Sequence, residues 1–454
     1  MNNQNKKRSS FTSGIGFVLA ASGSAVGLGN LWRFPYLVAQ YGGGIFILIY
    51  IILALTFGFT LMTTEISIGR KTLKSPGAAY KEIHPKFGFL GYFATLVPII
   101  ILPYYCVIGG WVIKYMITFI SGMGPEAAAD DYFSNFIATP VSPLLFFVIF
   151  LAATTVIILL GVNKGIEKIS SILMPLLVVL SVVICIFVIR IPGSGSGIRF
   201  YLLPDPSKFS FMTLCSAMGQ IFFSMSLAMG IMVTYGSYTK RETNLIRSVN
   251  QIEFFDTAIA LLAGFMVVPA IYVFSGEAGA KANGPGLLFV ALPKVFEQMP
   301  MGNLIGILFF ILVLFAALTS SISIMEAVVS SFVDRFHIFR RQGILITVLI
   351  SVGLGLPSSL GNGLWSNVRL LGMDFLTFFD YVSNSLIMPF VALCTCLLIG
   401  WFVKPKCVLD EVTRNGETIR RKKLYQVMIK IVAPVLLAII LISYSLAQFG
   451  VINM

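Results

Sequence analysis

Charged residues are scarce in this sequence, at 11% of 454 residues, while 57% are hydrophobic. A water-soluble domain is roughly a quarter charged, so this composition excludes one. Histidine is almost missing: His84 and His337 are the two in the chain, and neither belongs to a serine or cysteine arrangement that suits catalysis. The six cysteines lie in or beside apolar runs and are expected to be reduced packing residues. We therefore predict that the protein is not an enzyme.

Long apolar runs fill the chain instead. About 20 apolar residues cross the roughly 30 Å hydrocarbon core of a bilayer, and eleven such runs occur. The first run continues into Asn30 and Trp32 without a small-residue cleavage site, so we interpret it as a span and not as a signal peptide. We predict an all-α, polytopic membrane protein with eleven transmembrane helices. The predicted spans are 14–40, 44–69, 90–120, 144–162, 169–191, 211–238, 252–277, 303–333, 343–360, 375–403 and 425–450.

The net charge of +13 reflects topology rather than nucleic-acid binding. Segments on one side of the predicted spans hold 23 lysines and arginines, and segments on the other side hold six. By the positive-inside rule, the N-terminal tail 1–13 and the basic loop 404–424 are cytoplasmic. The loop 192–210 and the C-terminal end of 425–454, which contains the eleventh helix, are then extracellular. We expect a location in the plasma membrane, which is the inner membrane of a prokaryotic cell.

Two spans carry clusters of small and polar residues near their middles. Residues 23–30 read Gly-Ser-Ala-Val-Gly-Leu-Gly-Asn, and residues 224–230 read Ser-Met-Ser-Leu-Ala-Met-Gly. Such clusters can be helix-packing faces, or breaks that line a cavity. Each begins a set of five spans, which predicts inverted repeats at 14–191 and 211–403 with a binding site at the breaks. Half-helix N-termini attract a carboxylate and free carbonyls bind a cation, so an amino acid with sodium suits such a site.

An ordered set of motifs then resembles one family. Residues 23–35 read GSAVGLGNLWRFP, and Tyr-Gly-Gly-Gly follows at 41–44. Glu65 with Gly69-Arg70, Tyr104-Tyr105, Gln-Ile-Phe-Phe at 220–223, Leu-Thr-Ser-Ser at 318–321 and Asp380 continue the set. The sequence is similar to the neurotransmitter:sodium symporters over nearly its whole length. The resemblance implies a leucine-transporter-type fold of five plus five helices, with helices 1 and 6 unwound in mid-membrane.

The resemblance also implies two sodium ions. Main-chain carbonyls and hydroxyls would bind one of them, and the bound substrate's carboxylate would complete the shell of the other. Thr319 and Ser320 have a commoner alternative role, in which their hydroxyls bond back to their own helix. The first implied site comprises Ala25, Asn30, Ser224 and Asp256, and the second comprises Gly23, Val26, Ala316, Thr319 and Ser320.

For the substrate, the resemblance implies a neutral, hydrophobic or aromatic L-amino acid. Tyr105 and backbone amides near Gly27 and Gly29 would bind its carboxylate, and carbonyls of the two breaks would bind its amine. The same side chains would be ordinary helix packing if the fold were different. The implied substrate residues are Ser24, Ala25, Gly27, Gly29, Ile101, Tyr105, Phe223, Ser224, Ser226, Met229, Ser320 and Ile324.

The resemblance implies gates on both sides of this site. Arg33 and Asp380 would form the outer gate. Taken alone, Arg33 is more typical of a snorkelling side chain and Asp380 of an acid at the membrane interface. Arg8, Asp334 and Tyr238 would form the inner gate.

Asp256 bears on whether transport requires chloride. Ala260, one helical turn further along, has no hydroxyl to hold chloride, and an ionised Asp256 would supply the charge itself. We therefore expect chloride-independent transport. Asp256 is alternatively a solvated acid near the cytoplasmic end of its span, although intramembrane acids are usually functional.

Two other functions remain open from the residues. A proton-coupled transporter of the same fold would titrate Asp256 or Glu65, whereas Thr319 and Ser320 favour sodium. A channel would need a continuous polar stripe along several spans, and the polar residues here cluster at one depth. The expected partners are the amino acid substrate and the lipid bilayer, with no nucleic acid. The oligomeric state does not follow from the sequence.

Overall fold

The computed structural model describes residues 9–280 and 286–448. Within them, all regular secondary structure is helical, apart from two isolated bridges that pair Gly43 with Pro204 and Leu370 with Met373. Nine of the described helices are long and apolar enough to cross a membrane, and a bent pair of helices makes a tenth crossing. The remaining predicted span, 211–238, consists of two shorter helices.

The first half of the chain forms six main helices, and short helices at Pro76–Ile83, Gly124–Ala127, Tyr132–Ala138 and Ser194–Leu202 connect or follow them. The main helices are α1 (Gly14–Ala25), α2 (Gly29–Gln40), α3 (Gly44–Thr72), α4 (Pro85–Ile120), α5 (Val141–Leu159) and α6 (Val162–Ile189).

The second half forms seven main helices, with short helices at Leu287–Ala291, Leu292–Gln298 and Lys406–Val412 between them. The main helices are α7 (Phe211–Ser224), α8 (Ile231–Ser237), α9 (Leu245–Phe274), α10 (Gly302–Phe336), α11 (Arg340–Leu360), α12 (Phe375–Phe402) and α13 (Lys422–Leu446).

The two largest differences from the predicted spans lie at helix starts. The predicted starts at 169 and 252 are wrong by seven residues, since α6 begins at Val162 and α9 at Leu245. The added residues of α9 include Arg247, Asn250 and Gln251. These polar turns remain helical beyond the apolar core, where a hydrophobicity pattern no longer detects them.

The first predicted span breaks after Ala25. Val26 is extended, with φ −78° and ψ 100°, and α1 and α2 meet at an angle of 48°. A Cβ atom at Gly27 would lie 2.4 Å from the Ser320 hydroxyl and 2.9 Å from the Tyr105 hydroxyl. Glycine is therefore required here, because the broken backbone passes against side chains of α4 and α10.

The second break follows Ser224, which ends α7. Ser226, Ala228 and Gly230 have φ angles of 53°, 59° and 71°, so the chain turns through left-handed conformations before α8 begins. Two of these residues are not glycine, and each such position costs roughly 1–2 kcal/mol. The surrounding contacts must offset that cost, which is typical of functional segments.

The two broken segments lie in the interior of the helix bundle. The α1 helix contacts α6, α9 and α10. In the most apolar 18-residue stretch of α4, 83% of the residues are buried. In the corresponding stretches of α5, α6 and α13, only 33% of the residues are buried, and leucine, isoleucine and valine side chains are exposed. Peripheral helices of this kind suit contact with hydrocarbon, so the breaks are enclosed by protein where free backbone groups are tolerated.

Candidate functional site

A small cavity of about 20 Å³ lies between the two breaks, α4 and α10. Eleven of the twelve predicted substrate residues line it; Ser224 does not, and Leu28, which was not predicted, does. The lining residues are Ser24, Ala25, Gly27, Leu28, Gly29, Ile101, Tyr105, Phe223, Ser226, Met229, Ser320 and Ile324.

One end of this cavity is polar and belongs to the broken backbone. The Leu28 amide donates to the Tyr105 hydroxyl at 3.3 Å. The Ser226 hydroxyl donates to the Ser24 carbonyl at 3.0 Å, which links the first break to the second. Because neither break continues its helix, main-chain donors and acceptors lie beside these hydroxyls. This end offers hydrogen bonds of both kinds without a charged side chain among its lining residues.

The other end of the cavity is apolar. Ile101, Met229 and Ile324 are each buried and line it from α4, the second break and α10. Methionine changes shape at low cost because its side chain is unbranched. A volume of about 20 Å³ is far below the roughly 300 Å³ at the lower end of ligand pockets. The side chains around the cavity must therefore move apart to admit a solute larger than water.

A closed polar network lies beside the cavity and joins Asn30, Tyr50, Ser224 and Asp256, all with 0% exposure. The Ser224 hydroxyl donates to Asp256 Oδ1 at 2.6 Å, and the Asn30 amide donates to the same oxygen at 2.9 Å. The Tyr50 hydroxyl donates to Asp256 Oδ2 at 3.1 Å. The structure thus brings together three of the four residues predicted for the first sodium site, and Ala25 lies in the adjoining cavity wall.

Tyr50 is a member of this network that sequence reasoning missed. The only signal was a single hydroxyl inside an apolar run of α3, and a buried tyrosine hydroxyl usually has a partner. Asp256 is not a solvated acid, since it is fully buried with three side-chain donors.

The residues predicted for the second sodium site also lie together. The Ser320 hydroxyl is 3.5 Å from the Gly23 carbonyl and 3.3 Å from the Val26 carbonyl, across the gap between α10 and the first break. The Thr319 hydroxyl is 3.1 Å from the Ala316 carbonyl, and its Cβ is 3.3 Å from where a Cβ of Gly23 would be. Thr319 therefore bonds back to its own helix while facing Gly23, whereas Ser320 bonds across to the other helix.

Two buried side chains satisfy backbone groups that the breaks release. Glu65 on α3 accepts from the Ala228 amide at 2.7 Å, and Gln220 on α7 donates to the Gly29 carbonyl at 2.9 Å. Unpaired backbone groups in a membrane interior cost several kcal/mol. Both residues belong to the sequence motifs, and their contacts explain why these polar types occur inside apolar spans.

A larger cavity of about 380 Å³ lies on the side of the site away from the N-terminus. Leu28, Tyr105 and Phe223 line both this cavity and the small one, so they separate the two. The Phe223 ring packs on Gly29, where a Cβ would lie 2.5 Å from it. Phe223 therefore forms part of the wall that closes the small cavity toward this side.

The predicted outer gate residues both line the larger cavity. The Arg33 guanidinium lies over the Phe223 ring at 5.6 Å from its centroid. Asp380 accepts from the Tyr104 hydroxyl at 3.2 Å and from the Asn384 amide at 2.5 Å. No ion pair between Arg33 and Asp380 is present among the described residues. The two charges face one cavity without closing it.

The opposite side of the site is closed by packed side chains. Phe11 is 1% exposed and contacts the rings of Phe17, Tyr235 and Tyr238. Its amide donates to the Tyr238 carbonyl at 2.9 Å. Asp334 accepts from the Ser75 amide at 2.7 Å. Arg8, the third predicted member of the inner gate, lies outside the described residues.

An ion pair at this closed side was not predicted from the sequence. Glu326 on α10 is fully buried and accepts from the Tyr238 hydroxyl at 2.7 Å. Arg340 on α11 donates to both oxygens of Glu326, at 2.8 Å and 2.6 Å. The pair joins the end of α8 to α10 and α11. The available signal was Glu326 itself, an acid within the apolar sequence of α10, since a buried acid usually has a partner.

Comparisons with known proteins agree with this architecture. The chain matches the model of the sodium:neurotransmitter symporter family at residues 8–139 and 134–453. An uncharacterized sodium-dependent transporter of Haemophilus influenzae is 33% identical over 459 residues, which cover 98% of this chain and 99% of the relative. Another, from Bacillus subtilis, is 33% identical over 443 residues, covering 96% and 97% of the two chains.

A solved structure is similar over the same length. The crystal structure of MhsT in complex with L-phenylalanine superposes with a TM-score of 0.88 and 34% sequence identity. The match covers 96% of this chain and all of that one. The chain therefore belongs to the sodium:neurotransmitter symporter family of sodium-dependent membrane transporters.

Proposed function

We propose that this protein is a symporter that couples a neutral, hydrophobic or aromatic L-amino acid to two sodium ions, by alternating access and without chloride. The observation that carries the proposal is the small cavity with a polar end made by two broken helices and an apolar end made by Ile101, Met229 and Ile324. A zwitterionic amino acid has the same two-part chemistry. L-Phenylalanine, the ligand in the MhsT structure, supports an aromatic side chain.

In this proposal, Tyr105 and the amides of the first break bind the substrate carboxylate. The Leu28 amide already contacts the Tyr105 hydroxyl, so both groups face the same point. The substrate amine binds carbonyls of Ala25, Phe223, Ser224 and Ser226. No acidic side chain lines the cavity, which disfavours an amine that lacks a carboxylate of its own.

The first sodium ion binds beside this carboxylate. Asp256, Ser224 and Asn30 form one buried network that adjoins the Ala25 wall of the cavity. The ion replaces part of that hydrogen bonding, and the substrate carboxylate completes its shell together with the Ala25 carbonyl. Coupling then has a direct cause, because substrate and ion each supply part of the other's site.

The second sodium ion binds between α10 and the first break. Its ligands are neutral oxygens of Gly23, Val26, Ala316, Thr319 and Ser320, and hard oxygen ligands suit a hard cation. The contacts of Ser320 with Gly23 and Val26, and of Thr319 with Ala316, support this assignment. The ion therefore fixes the first break against α10. Inward movement of two charges through 100 mV gains about 4.6 kcal/mol, on the order of a thousandfold in concentration ratio.

Alternating access uses the two closures described above. With the N-terminus in the cytoplasm, the larger cavity opens to the outside, and Arg33 and Asp380 close it when they pair over Phe223. Phe11, Tyr238 and Asp334, with Arg8, form the inner closure. Residues 14–191 and 211–403 are the two inverted repeats, each beginning with a broken helix. The present geometry supports a conformation closed inside, in which the larger cavity is accessible from outside and Leu28, Tyr105 and Phe223 still separate it from the small cavity.

Chloride independence follows from the charge on Asp256. Ala260, one turn further along α9, is buried and has no hydroxyl to bind an anion. The Asp256 carboxylate therefore supplies the negative charge that balances the first sodium ion.

Uptake into proteoliposomes tests this proposal. Labelled phenylalanine, leucine, glutamate and lysine are supplied with a sodium gradient, with a proton gradient in potassium buffer, and with gluconate replacing chloride. We expect sodium-dependent uptake of phenylalanine and leucine that gluconate leaves unchanged. Uptake driven by protons without sodium favours the proton-coupled alternative. Collapse in gluconate overturns the role given to Asp256, and flux without accumulation indicates a channel.

A further inference from the structure

A second feature lies at the end of the bundle that carries the N-terminus, away from the transport site. It is a cleft of about 1020 Å³ between the first turns of α9, residues 416–421 and Phe59 of α3. Arg247, Gln251 and Phe254 line one wall from α9, while Ile419 and Arg420 line the other. The transport cycle proposed above uses none of these residues.

The rim of this cleft is positively charged. Arg247 and Arg420 are both exposed, and within the described part of the chain neither side chain has an ion pair. Glu417, the one acid in the lining, accepts from the backbone and side-chain amides of Asn415 at 2.9 Å and 3.2 Å and so faces its own turn. Two guanidinium groups are thus available to a ligand, and guanidinium groups bind phosphate in bidentate fashion.

A third arginine gives the cleft a fixed shape. Arg421 donates to Glu253 at 2.9 Å, to Asn250 at 2.6 Å and to the Leu55 carbonyl at 2.8 Å. Its guanidinium lies 3.8 Å from the centroid of the Phe59 ring. These contacts tie residues 416–421 to α3 and α9. Because its guanidinium is already bound to these groups, Arg421 stabilises the wall of the cleft and does not bind the ligand.

The cleft changes from polar to apolar along α9. Arg247, Gln251 and Phe254 are spaced four and three residues apart, so they lie on one face of the helix. The rise of an α-helix puts Phe254 about 10 Å deeper than Arg247. Phe254 is 68% exposed. A basic rim and an exposed aromatic ring about 10 Å deeper match the step from headgroup to acyl chain in one leaflet.

We propose that this cleft binds an anionic phospholipid of the cytoplasmic leaflet. Its phosphate pairs with Arg247 and Arg420, and one acyl chain lies against Phe254. Basic pockets between transmembrane helices on the cytoplasmic side are suited to such headgroups. The inference rests on the membrane orientation proposed above and is independent of the amino acid and sodium assignments.

Native mass spectrometry of the full chain, purified in a non-ionic detergent, tests this inference. The protein is titrated with phosphatidylglycerol or with phosphatidylcholine of the same acyl chains. We expect phosphatidylglycerol to bind more tightly. In the double variant Arg247→Gln with Arg420→Gln, its affinity should fall about thirtyfold, the loss expected for two surface arginines. Phosphatidylcholine binding should be unchanged.

The matched control is Lys164→Gln with Arg341→Gln. These two residues are exposed at the same end of the bundle and have no ion pair within the described ranges, so the control removes the same charge elsewhere. An equal loss in both double variants means general charge attraction and overturns the site. Equal affinity of the wild-type protein for phosphatidylglycerol and phosphatidylcholine also overturns the site. Displacement of the lipid by inorganic phosphate at the same concentration assigns the cleft to soluble anions and overturns the lipid.

Discussion

Polar side chains at the two helix breaks divide two tasks between them. Gln220 and Glu65 satisfy backbone groups that the breaks release, while Asn30 and Ser320 link one element to another. The first pair makes the breaks tolerable in a membrane interior. The second pair presents oxygens at the place where we propose sodium binds.

Removal of one proposed sodium ligand should weaken sodium dependence. In Asn30→Ala and Thr319→Ala, we expect the sodium concentration for half-maximal uptake to rise about tenfold, because each loses one oxygen of the ion's shell. Uptake as a function of sodium measures this. Ser321→Ala is the matched control, since Ser321 bonds to Thr154 on the opposite side of α10 at 2.8 Å. Unchanged sodium affinity in both ligand variants refutes the ion sites.

Tyr105→Phe tests the carboxylate contact. The hydroxyl is the only part removed, and a hydrogen bond to a charged group is worth roughly 1.5–3 kcal/mol. We expect KM for the amino acid to rise at least about tenfold at saturating sodium. Tyr115→Phe is the control, because the Tyr115 hydroxyl donates to the Phe289 carbonyl at 2.8 Å, away from the cavity. A KM that rises equally in both variants points to a structural effect instead.

At the scale of elements, the second break depends on close approach to its neighbours. Gly230 has φ 71°, and a Cβ there would lie 2.5 Å from the Pro76 ring and 3.0 Å from the Ala94 carbonyl. The short helix after residue 75 and α4 therefore determine how α8 starts. The left-handed backbone angle of Gly230 is not by itself enough to determine where α8 starts.

Gly230→Ala should destabilise the protein more than the same change at Gly122. Gly122 has φ 77°, but a Cβ atom there would have no neighbour within 4 Å, so this position isolates the cost of the backbone angle. That cost is roughly 1–2 kcal/mol, and Gly230→Ala adds a steric clash. Thermal unfolding in detergent measures the difference, with a lower midpoint and reduced uptake expected for Gly230→Ala. Equal midpoints contradict the packing argument.

The Glu326–Arg340 pair should stabilise the closed side of the site. Glu326→Gln leaves Arg340 without its counter-ion. Because Arg340 is 33% exposed, the cost lies between the roughly 3–5 kcal/mol of a buried pair and the roughly 1 kcal/mol of an exposed one. We expect the unfolding midpoint to fall by several degrees, and the double change with Arg340→Gln to cost less than the sum. Lys74→Gln is the control, because it breaks the exposed Lys74–Glu82 pair at the same end. Additive losses mean that the pair contributes little.

At the scale of the whole molecule, the charge asymmetry predicts the orientation. An epitope inserted after Asn415, an exposed position in the basic loop, should bind antibody only in permeabilised cells. The same epitope inserted after Gly195, also exposed, should bind in intact cells. The reason is that positively charged segments are retained in the cytoplasm. The reverse labelling pattern would exchange the proposed inner and outer gates and would place the lipid cleft in the outer leaflet. The assignment of the buried site would not change.

Much of the fold was predictable because hydrophobic length and charge are local properties. Runs of apolar residues located the spans, and clusters such as residues 23–30 located the breaks after Ala25 and Ser224. The site residues were predictable only through the motifs that resemble a family. Helix starts were less accurate where polar turns extend α6 and α9 beyond the membrane core.

The sequence by itself determined an all-helical membrane protein, the positions of its two interruptions and the chemistry available there. Only the tertiary structure showed that Tyr50 joins Asp256, that Glu326 pairs with Arg340, and that Arg33 and Asp380 share a cavity without pairing. It also disclosed the basic cleft beside α9. The physical reason is that these contacts join residues far apart in the chain. Their distances depend on how helices pack, and no local pattern encodes that.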